Sequence, residues 1–217
     1  MARTRITGPE RKASILAAAR RVFSRTGFDN AKTSDVAREA DVSEALVFRH
    51  FPSKLALYRA VLRQIIREQD ENFAEFAPAD PSAASIIHGI KAYFSHAASL
   101  REDEMQQRFR LLLASLTADG AYARLVSRRS RRMIDRSVDT AMERTKDDGD
   151  IPGELLSVND TSLFIEHIGT MMSAIVAIAG KDAPYSVTGD ALVRQVVWFC
   201  CRGLGFSDEA IARHIDD

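Results

Sequence analysis

With 217 residues, 46% of them hydrophobic and 28% charged, the chain can bury a sizeable core and has the composition of a soluble globular protein, which excludes the disordered and fibrous classes. Its 30 lysines and arginines balance 30 aspartates and glutamates, but unevenly: residues 1–60 hold 12 basic against 6 acidic side chains (+6), and residues 61–217 hold the other 18 against 24 (−6). A basic module on an acidic body is an electrostatic footprint for a polyanion, so the neutral total does not exclude a nucleic-acid partner.

Gly8-Pro9 opens the first predicted helix, because proline at the first helical position loses no hydrogen bond by lacking an N–H. Ile15, Leu16, Ala19, Val22 and Phe23 follow as one apolar stripe, and Gly27 supplies the left-handed residue that ends it. A second short helix, capped at Asn30 or Thr33, turns Val36, Ala37 and Ala40 inward. After the turn Ala40-Asp41-Val42, Ser43 caps a third helix, and Val42 and Val47 have the spacing of a hydrophobic staple. Pro52 stops that helix near Phe51. Ser53 then caps a long fourth helix carrying Leu57, Tyr58, Val61, Leu62, Ile65 and Ile66.

Ala77–Pro81 reads as a break rich in proline and aspartate. Beyond it, helical periodicity predicts helices over Ser82–Leu100, Glu102–Ala118, Ala121–Lys146, Thr161–Gly180, Thr188–Leu204 and Ser207–Ile215. Lys146–Ser157 (KDDGDIPGELLS) is the clearest loop. The only cysteines, Cys200 and Cys201, are adjacent in an apolar run, which fits buried thiols in a reducing compartment and not a disulfide framework. The first residues lack the apolar stretch of a signal peptide, and the most apolar segment, Met171–Ala179, has half the length that spans a bilayer. The expectation is a cytoplasmic, all-α protein with no membrane partner.

The segment from Ala31 to Phe51 reads as a helix-turn-helix, in which the second helix enters the major groove while the first crosses the backbone. Ser43 begins the reading helix, and Glu44, Ala45, Leu46 and Arg49 lie near its leading end. Arg49, His50 and Lys54 are within reach of phosphates, and Arg3, Arg5, Arg11 and Lys12 add a basic arm. Glu44 suits a cytosine amino group, and suits equally the positive end of its own helix. Taken alone, three small helices packed for their own sake would explain so short a pattern.

Residues 10–62 (ERKASILAAARRVFSRTGFDNAKTSDVAREADVSEALVFRHFPSKLALYRAVL) carry a longer one. Ile15-Leu16-x-Ala18-Ala19, Val22-Phe23, Gly27-Phe28, Asp35-Val36-Ala37, Ala40-x-Val42-Ser43 and Phe48-x-His50-Phe51-x-Ser53-Lys54 occur in that order without a gap. In these elements the chain resembles the N-terminal domain of the tetracycline-repressor (TetR) family. The resemblance implies a homodimer that binds a palindromic operator on double-stranded DNA, represses in most members, and is released by a small molecule held in the C-terminal domain. It implies DNA contacts from Lys32, Thr33, Ser43, Glu44, Ala45, Leu46, Phe48, Arg49, His50 and Lys54. The chain departs from the family pattern in having Ala31-Lys32 where Thr or Ser opens the second helix, Asp41 for the turn glycine, Ala45-Leu46 for Gly-Thr, and Phe48 for tyrosine.

The C-terminal half carries no motif of its own. Phe94, Met105, Phe109, Leu112, Leu116, Met133, His167 and Met171 are the candidates to line a cavity for a mainly apolar effector, although such side chains at helical spacing are more often plain core. Trp198, His88 and His96 belong to the same group of core or pocket residues, and the histidines lack metal-ligand spacing. Arg124, Arg128, Arg132 and Arg136 form a stripe, which reads as a solvated face paired with Asp135, Asp139 and Glu143 in preference to an anionic-ligand or DNA-proximal patch. The small residues Gly169, Ser173, Ala174, Ala177, Ala179 and Gly180 suggest close helix approach, making Thr161–Gly180 with Thr188–Leu204 the candidate dimer interface. The expected organisation is a DNA-binding domain over residues 1–53 and a regulatory and dimerisation domain over 54–217. No catalytic constellation, metal site or cofactor is expected. A ligand-independent architectural DNA-binding protein is the rival reading, and an all-α enzyme a weaker one.

Overall fold

The computed structural model describes residues 7–73, 80–99, 102–118, 120–133 and 136–216. Every described element is helical: α1 (Gly8–Asn30), α2 (Thr33–Glu39), α3 (Glu44–His50), α4 (Lys54–Phe73), α5 (Ala83–Ser99), α6 (Glu102–Thr117), α7 (Ala121–Met133), α8 (Arg136–Asp147), α9 (Val158–Ala179), α10 (Gly189–Gly203) and α11 (Asp208–His214), with one 3₁₀ turn at Gly180–Asp182. The fold is all-α, as the periodicity predicts. Within the single helix expected over Ala121–Lys146, two are described, separated by residues 134 and 135. Most of the expected break at Ala77–Pro81 lies outside the described residues.

The chain divides into two compact units, one comprising Met1–Glu68 and Gln107–Leu125 and the other Gln69–Gln106 and Val126–Asp217. In the first, α1 begins with Pro9 at its start and a capping box in which Thr7 and Glu10 satisfy each other's backbone amides. Gly27, at φ 73° and ψ 173°, interrupts the helical geometry of α1 where the sequence places a stop. Phe28 then turns back onto the core, its ring 6.3 Å from Phe23 and 4.9 Å from Tyr58, while Phe23 and Tyr58 meet edge to face at 5.1 Å. Ile15, Val22, Val36, Val47, Leu57, Leu62 and Ile65 complete this core, each almost fully buried.

The second unit is organised around α5, whose buried Ile86, Ile87, Ile90 and Phe94 pack with residues of α8, α9, α10 and α11. Two polar ties fasten the C-terminal end of the chain to α5: His88 Nε2 lies 2.9 Å from the His214 carbonyl, and Lys91 Nζ donates to the Ile215 carbonyl at 2.7 Å. Both use carbonyls that the end of α11 leaves without helical partners.

Arg129 meets three partners in this unit. Its guanidinium, 8% exposed, donates to Asp70 Oδ1 at 2.8 Å and to the Gln69 carbonyl at 2.9 Å, and pairs with Glu166 at 3.4 Å. It is not one of the four stripe arginines, of which Arg124 and Arg128 are exposed; the side chains of Arg132 and Arg136 lie outside those described.

Three of the six small residues expected at an interface turn inward. Gly169, Ser173 and Ala174 are buried within the unit, and a Cβ built on Gly169 would lie 2.5 Å from the Tyr93 hydroxyl oxygen. Gly169 thereby admits Tyr93, while Ala177 and Ala179 are half-buried and Gly180 is exposed. The outward face instead carries Phe164, Met171 and Ile178, exposed by 59%, 49% and 57% and spaced seven apart. Met171–Ala179 is the end of a 22-residue helix, Val158–Ala179, which by length and composition alone could cross a membrane. The sequence estimate of half that length was therefore short. Its other face is committed to the unit through Glu166 and Gly169.

Cys200 and Cys201 are buried, and burial pushes their thiols up to about 11 and about 12. Both stay protonated across the neutral range, as buried inert thiols should. In the native protein at pH 8, Ellman's reagent is expected to label them at least roughly 100-fold more slowly than in urea-unfolded chain, because burial alone lifts the Cys200 thiol from 9.0 to about 11. Equal rates before and after unfolding would contradict the buried placement.

Candidate nucleic-acid interface

The turn between α2 and α3 is made by one residue. Asp41 is the only described non-glycine with positive φ, at 52°, and aspartate tolerates that region better than most side chains. Ser43 then caps α3 by accepting from the Leu46 amide at 3.3 Å, and Val47 is fully buried with Val42 half-buried beside it. A seven-residue helix has little stability of its own, so this cap and staple hold its start. Its end is set at Phe51, which is buried and precedes Pro52.

Burying Val47 turns the opposite face of α3 outward. Glu44, Ala45, Phe48 and Arg49 are exposed, and Leu46 and His50 are half-buried. Phe48 is 43% exposed, so its ring is not packed away as a structural residue would be. Ser43 and Lys32 are exposed and Thr33 is half-buried at the start of α2. Of the ten sequence candidates, Lys32, Ser43, Glu44, Ala45, Phe48 and Arg49 are exposed and Thr33, Leu46, His50 and Lys54 are half-buried.

Three details differ from the sequence expectation. The N-cap of α2 is Lys32, whose side chain makes no capping bond, and not Asn30 or Thr33. The Thr33 hydroxyl instead donates to the Glu44 carboxylate, tying the start of α2 to the start of α3. Lys54 Nζ is not aimed at solvent: it donates to the Asp29 carbonyl at 3.0 Å and the Ala31 carbonyl at 3.1 Å, and lies 4.7 Å from the Phe28 ring centre. Sequence reasoning missed this because neither carbonyl carries a side-chain signal. The available clue was Gly27, which announces a broken helix end with carbonyls in need of donors.

Salt bridges hold the supporting helices. Arg25 and Arg21 of α1 both reach Glu39 of α2, at 2.8 and 2.7 Å, and hydrogen bonds first from Arg25 and then from Arg21 hold its carboxyl below the ordinary glutamate range. Lys12 lies 5.7 Å over the Phe51 ring. Arg3 and Arg5 lie outside the described residues.

The family described as bacterial regulatory proteins, tetR family, matches residues 15–61, the stretch that holds this helix-turn-helix. Over that segment the chain is similar to the N-terminal domain of this family. Among curated relatives it is 35% identical over 104 residues to the HTH-type transcriptional regulator EthR of Mycolicibacterium smegmatis, a match covering 45% of this chain and 48% of that one. The chain spans about half the length of the curated relatives it matches first. Solved structures extend the likeness in fold to most of the chain. A tetR-family regulatory protein from Rhodococcus RHA1 superposes with a TM-score of 0.67 at 20% identity, over 92% of this chain and 99% of that one. FadR from Bacillus subtilis in complex with stearoyl-CoA gives 0.64 at 16%, over 88% and 98%.

Beyond the matched segment, the expected effector-lining residues are spread widely. Phe94 is fully buried in the second unit, its ring 5.2 Å from that of Tyr93. Phe109 and Leu112 are half-buried and Leu116 is exposed, all three in the first unit. His167 and Met171 are exposed on α9. The side chains of Met105 and Met133 lie outside those described. Trp198 lines an open groove along α10 with Arg194, Phe199 and Arg202, the last lying 4.9 Å over its ring. Among the described residues, no three or more His, Cys, Asp or Glu side chains gather as a metal would require.

The clamp at Lys54 makes a prediction about stability. Lys54→Met keeps the aliphatic stem but removes two charge-assisted bonds, and should lower the unfolding free energy in urea by about 1.5–3 kcal/mol without DNA present. An unchanged urea midpoint would mean that the ammonium is a phosphate ligand only.

Proposed function

We propose that this protein is a sequence-specific DNA-binding transcriptional regulator, a repressor released by a small-molecule effector, and not an enzyme. The observation that carries the proposal is the exposed face of α3, with Glu44, Ala45, Phe48 and Arg49 turned outward from a helix whose cap, staple and proline stop fix its orientation. A helix so presented, within a matched tetR-family domain, suits the major groove. In this reading Lys32, Ser43, His50 and Arg49 meet phosphates, Glu44, Ala45, Leu46 and Phe48 approach base edges, and Thr33 reaches a phosphate only where the DNA displaces its bond to Glu44. Lys54 acts through the corner it holds. The operator-reading module is residues 1–53 and the regulatory body 54–217, working in the cytoplasm where the DNA lies.

The effector is expected to be mainly apolar and held in the regulatory body. FadR, similar in fold, was solved with an acyl-CoA, which supports an effector with an apolar portion. Whatever its identity, operator must weaken effector binding by the same factor as effector weakens operator binding.

Footprinting of genomic DNA should reveal a palindrome whose half-sites lie about one helical turn, roughly 34–36 Å, apart. Log affinity for it should fall linearly with log salt, and Phe48→Tyr should tighten binding by about 1 kcal/mol where a phosphate lies within reach of the added hydroxyl. A weak affinity indifferent to both sequence and salt would favour the architectural reading.

We further propose that α9 and α10 form the homodimer interface, because their outward faces expose Phe164, Met171, Ile178 and Phe199. Single exposed apolar residues are ordinary, but a stripe of this kind is the pattern of a surface awaiting a partner. Phe164→Glu and Phe199→Glu are expected to give folded monomers by light scattering, with operator binding sharply reduced. Two dimeric variants would remove these helices from the interface.

A further inference from the structure

Arg20 of α1 and Arg108 of α6 both reach one carboxylate, Glu68 of α4. Arg20 Nη1 donates to Glu68 Oε2 at 3.0 Å, while Arg108 Nη2 stands 3.9 Å from the same oxygen, close enough to attract but too far to hydrogen-bond. Gln64 Nε2 occupies the other oxygen at 3.0 Å. The two arginine side chains are only 13% and 12% exposed. Even so, Nε and Nη2 of Arg20 and Nε of Arg108 are buried without a hydrogen-bond partner.

The charge does not balance. Among the described ion pairs, Glu68 is the only carboxylate that reaches either arginine, which leaves two cations against one anion. Of the other acids of α1 and α4, Glu10 is engaged by Thr7 and Asp70 by Arg129, and neither Asp29 nor Glu71 enters a described ion pair with these arginines. A buried lysine in such a place could shed its proton, but arginine stays charged in proteins. Covered guanidinium donors without acceptors are strongly unfavourable. The remaining relief is a second anion.

We propose that the Arg20–Arg108 pair is a binding site for a small oxyanion, a carboxylate or phosphate group. The planar guanidinium fork matches either group, and a rotamer change in these long side chains opens their covered edges. Such an anion would complete the balance that Glu68 begins and bridge α1 to α6. Arg20 lies within the matched segment 15–61, so the ligand would touch the tetR-family domain itself. The site stands on this geometry alone and is independent of the DNA-binding proposal.

The test uses the full chain and thermal unfolding at fixed pH and ionic strength, titrated with inorganic phosphate, with acetate, and with chloride as the reference. Phosphate or acetate should raise Tm saturably, by about 5–10 °C at a hundredfold excess over Kd, and the stronger of the two identifies the preferred oxyanion. Arg108→Met should abolish the rise, and Glu68→Gln, which removes the competing carboxylate, should lower the apparent Kd. Equal effects of all three salts, or a phosphate effect that survives Arg108→Met, overturn the proposal. Should the variants not fold, the Arg20 and Arg108 Nε–H signals of the wild-type protein decide by NMR. Saturable shifts of these two support the site, and their absence overturns it.

Discussion

The ammonium of Lys54 holds the corner on which the candidate interface depends. Where α1 breaks at Gly27, the Asp29 and Ala31 carbonyls have no amide one turn ahead to bond. One cation collects both and lies over the Phe28 ring. Phe28 in turn packs with Phe23 and Tyr58, which joins the broken end of α1 to the first turns of α4. With the start of α4 fixed, Phe51 and Pro52 fix the end of α3, and the left-handed Asp41 fixes its beginning. A helix too short to persist alone is thereby presented at a defined angle by groups that never leave the protein.

The ion pairs of the first unit also narrow the meaning of its basic charge. Arg21 and Arg25 are spent on Glu39, Arg38 on Asp35, and Lys54 on carbonyls. Arg49 and Lys32 are exposed and enter no described ion pair. These pairs decide where the cations sit and leave the excess of +6 along residues 1–60 unchanged, because Glu39 and Asp35 are already among the six acids counted and the carbonyls that hold Lys54 are neutral. A polyanion approaching α3 would meet a positive field that is localised away from the paired side chains. Glu44 tempers that field, and its bond to Thr33 means that a hydroxyl suited to phosphate is already occupied by a carboxylate.

Much of this fold was legible in the chain because its signals are local. Gly8-Pro9, Gly27, Asp41, Ser43, Pro52 and Ser53 each act within a few residues of themselves, and the observed boundaries of α1 to α4 follow them. Helices α5, α6, α9, α10 and α11 fall within a few residues of their predicted ranges for the same reason. What periodicity cannot say is which neighbour covers a face. Arg129 sits in a run of arginines, and only the tertiary fold decides that this one meets Asp70 and Glu166. Of the small residues expected to permit close approach, Gly169 does so, and the group that approaches it is a tyrosine from α5. Lys54 was read as an interface residue from its place in the motif, while its partners are backbone atoms that no side-chain pattern records.

The fit of Tyr93 against Gly169 also bears on how this sequence can drift. Any single-base change in a glycine codon that alters the residue adds a Cβ, and here that atom would meet the tyrosine ring and hydroxyl at 2.5–2.8 Å. Position 169 therefore has no neighbour in codon space that leaves the packing intact. A smaller side chain at position 93 relaxes this barrier, and tyrosine reaches serine or cysteine in one step. Lineages that carry a larger residue at 169 should have lost the tyrosine first, so the order of substitution is set by the shape of the core.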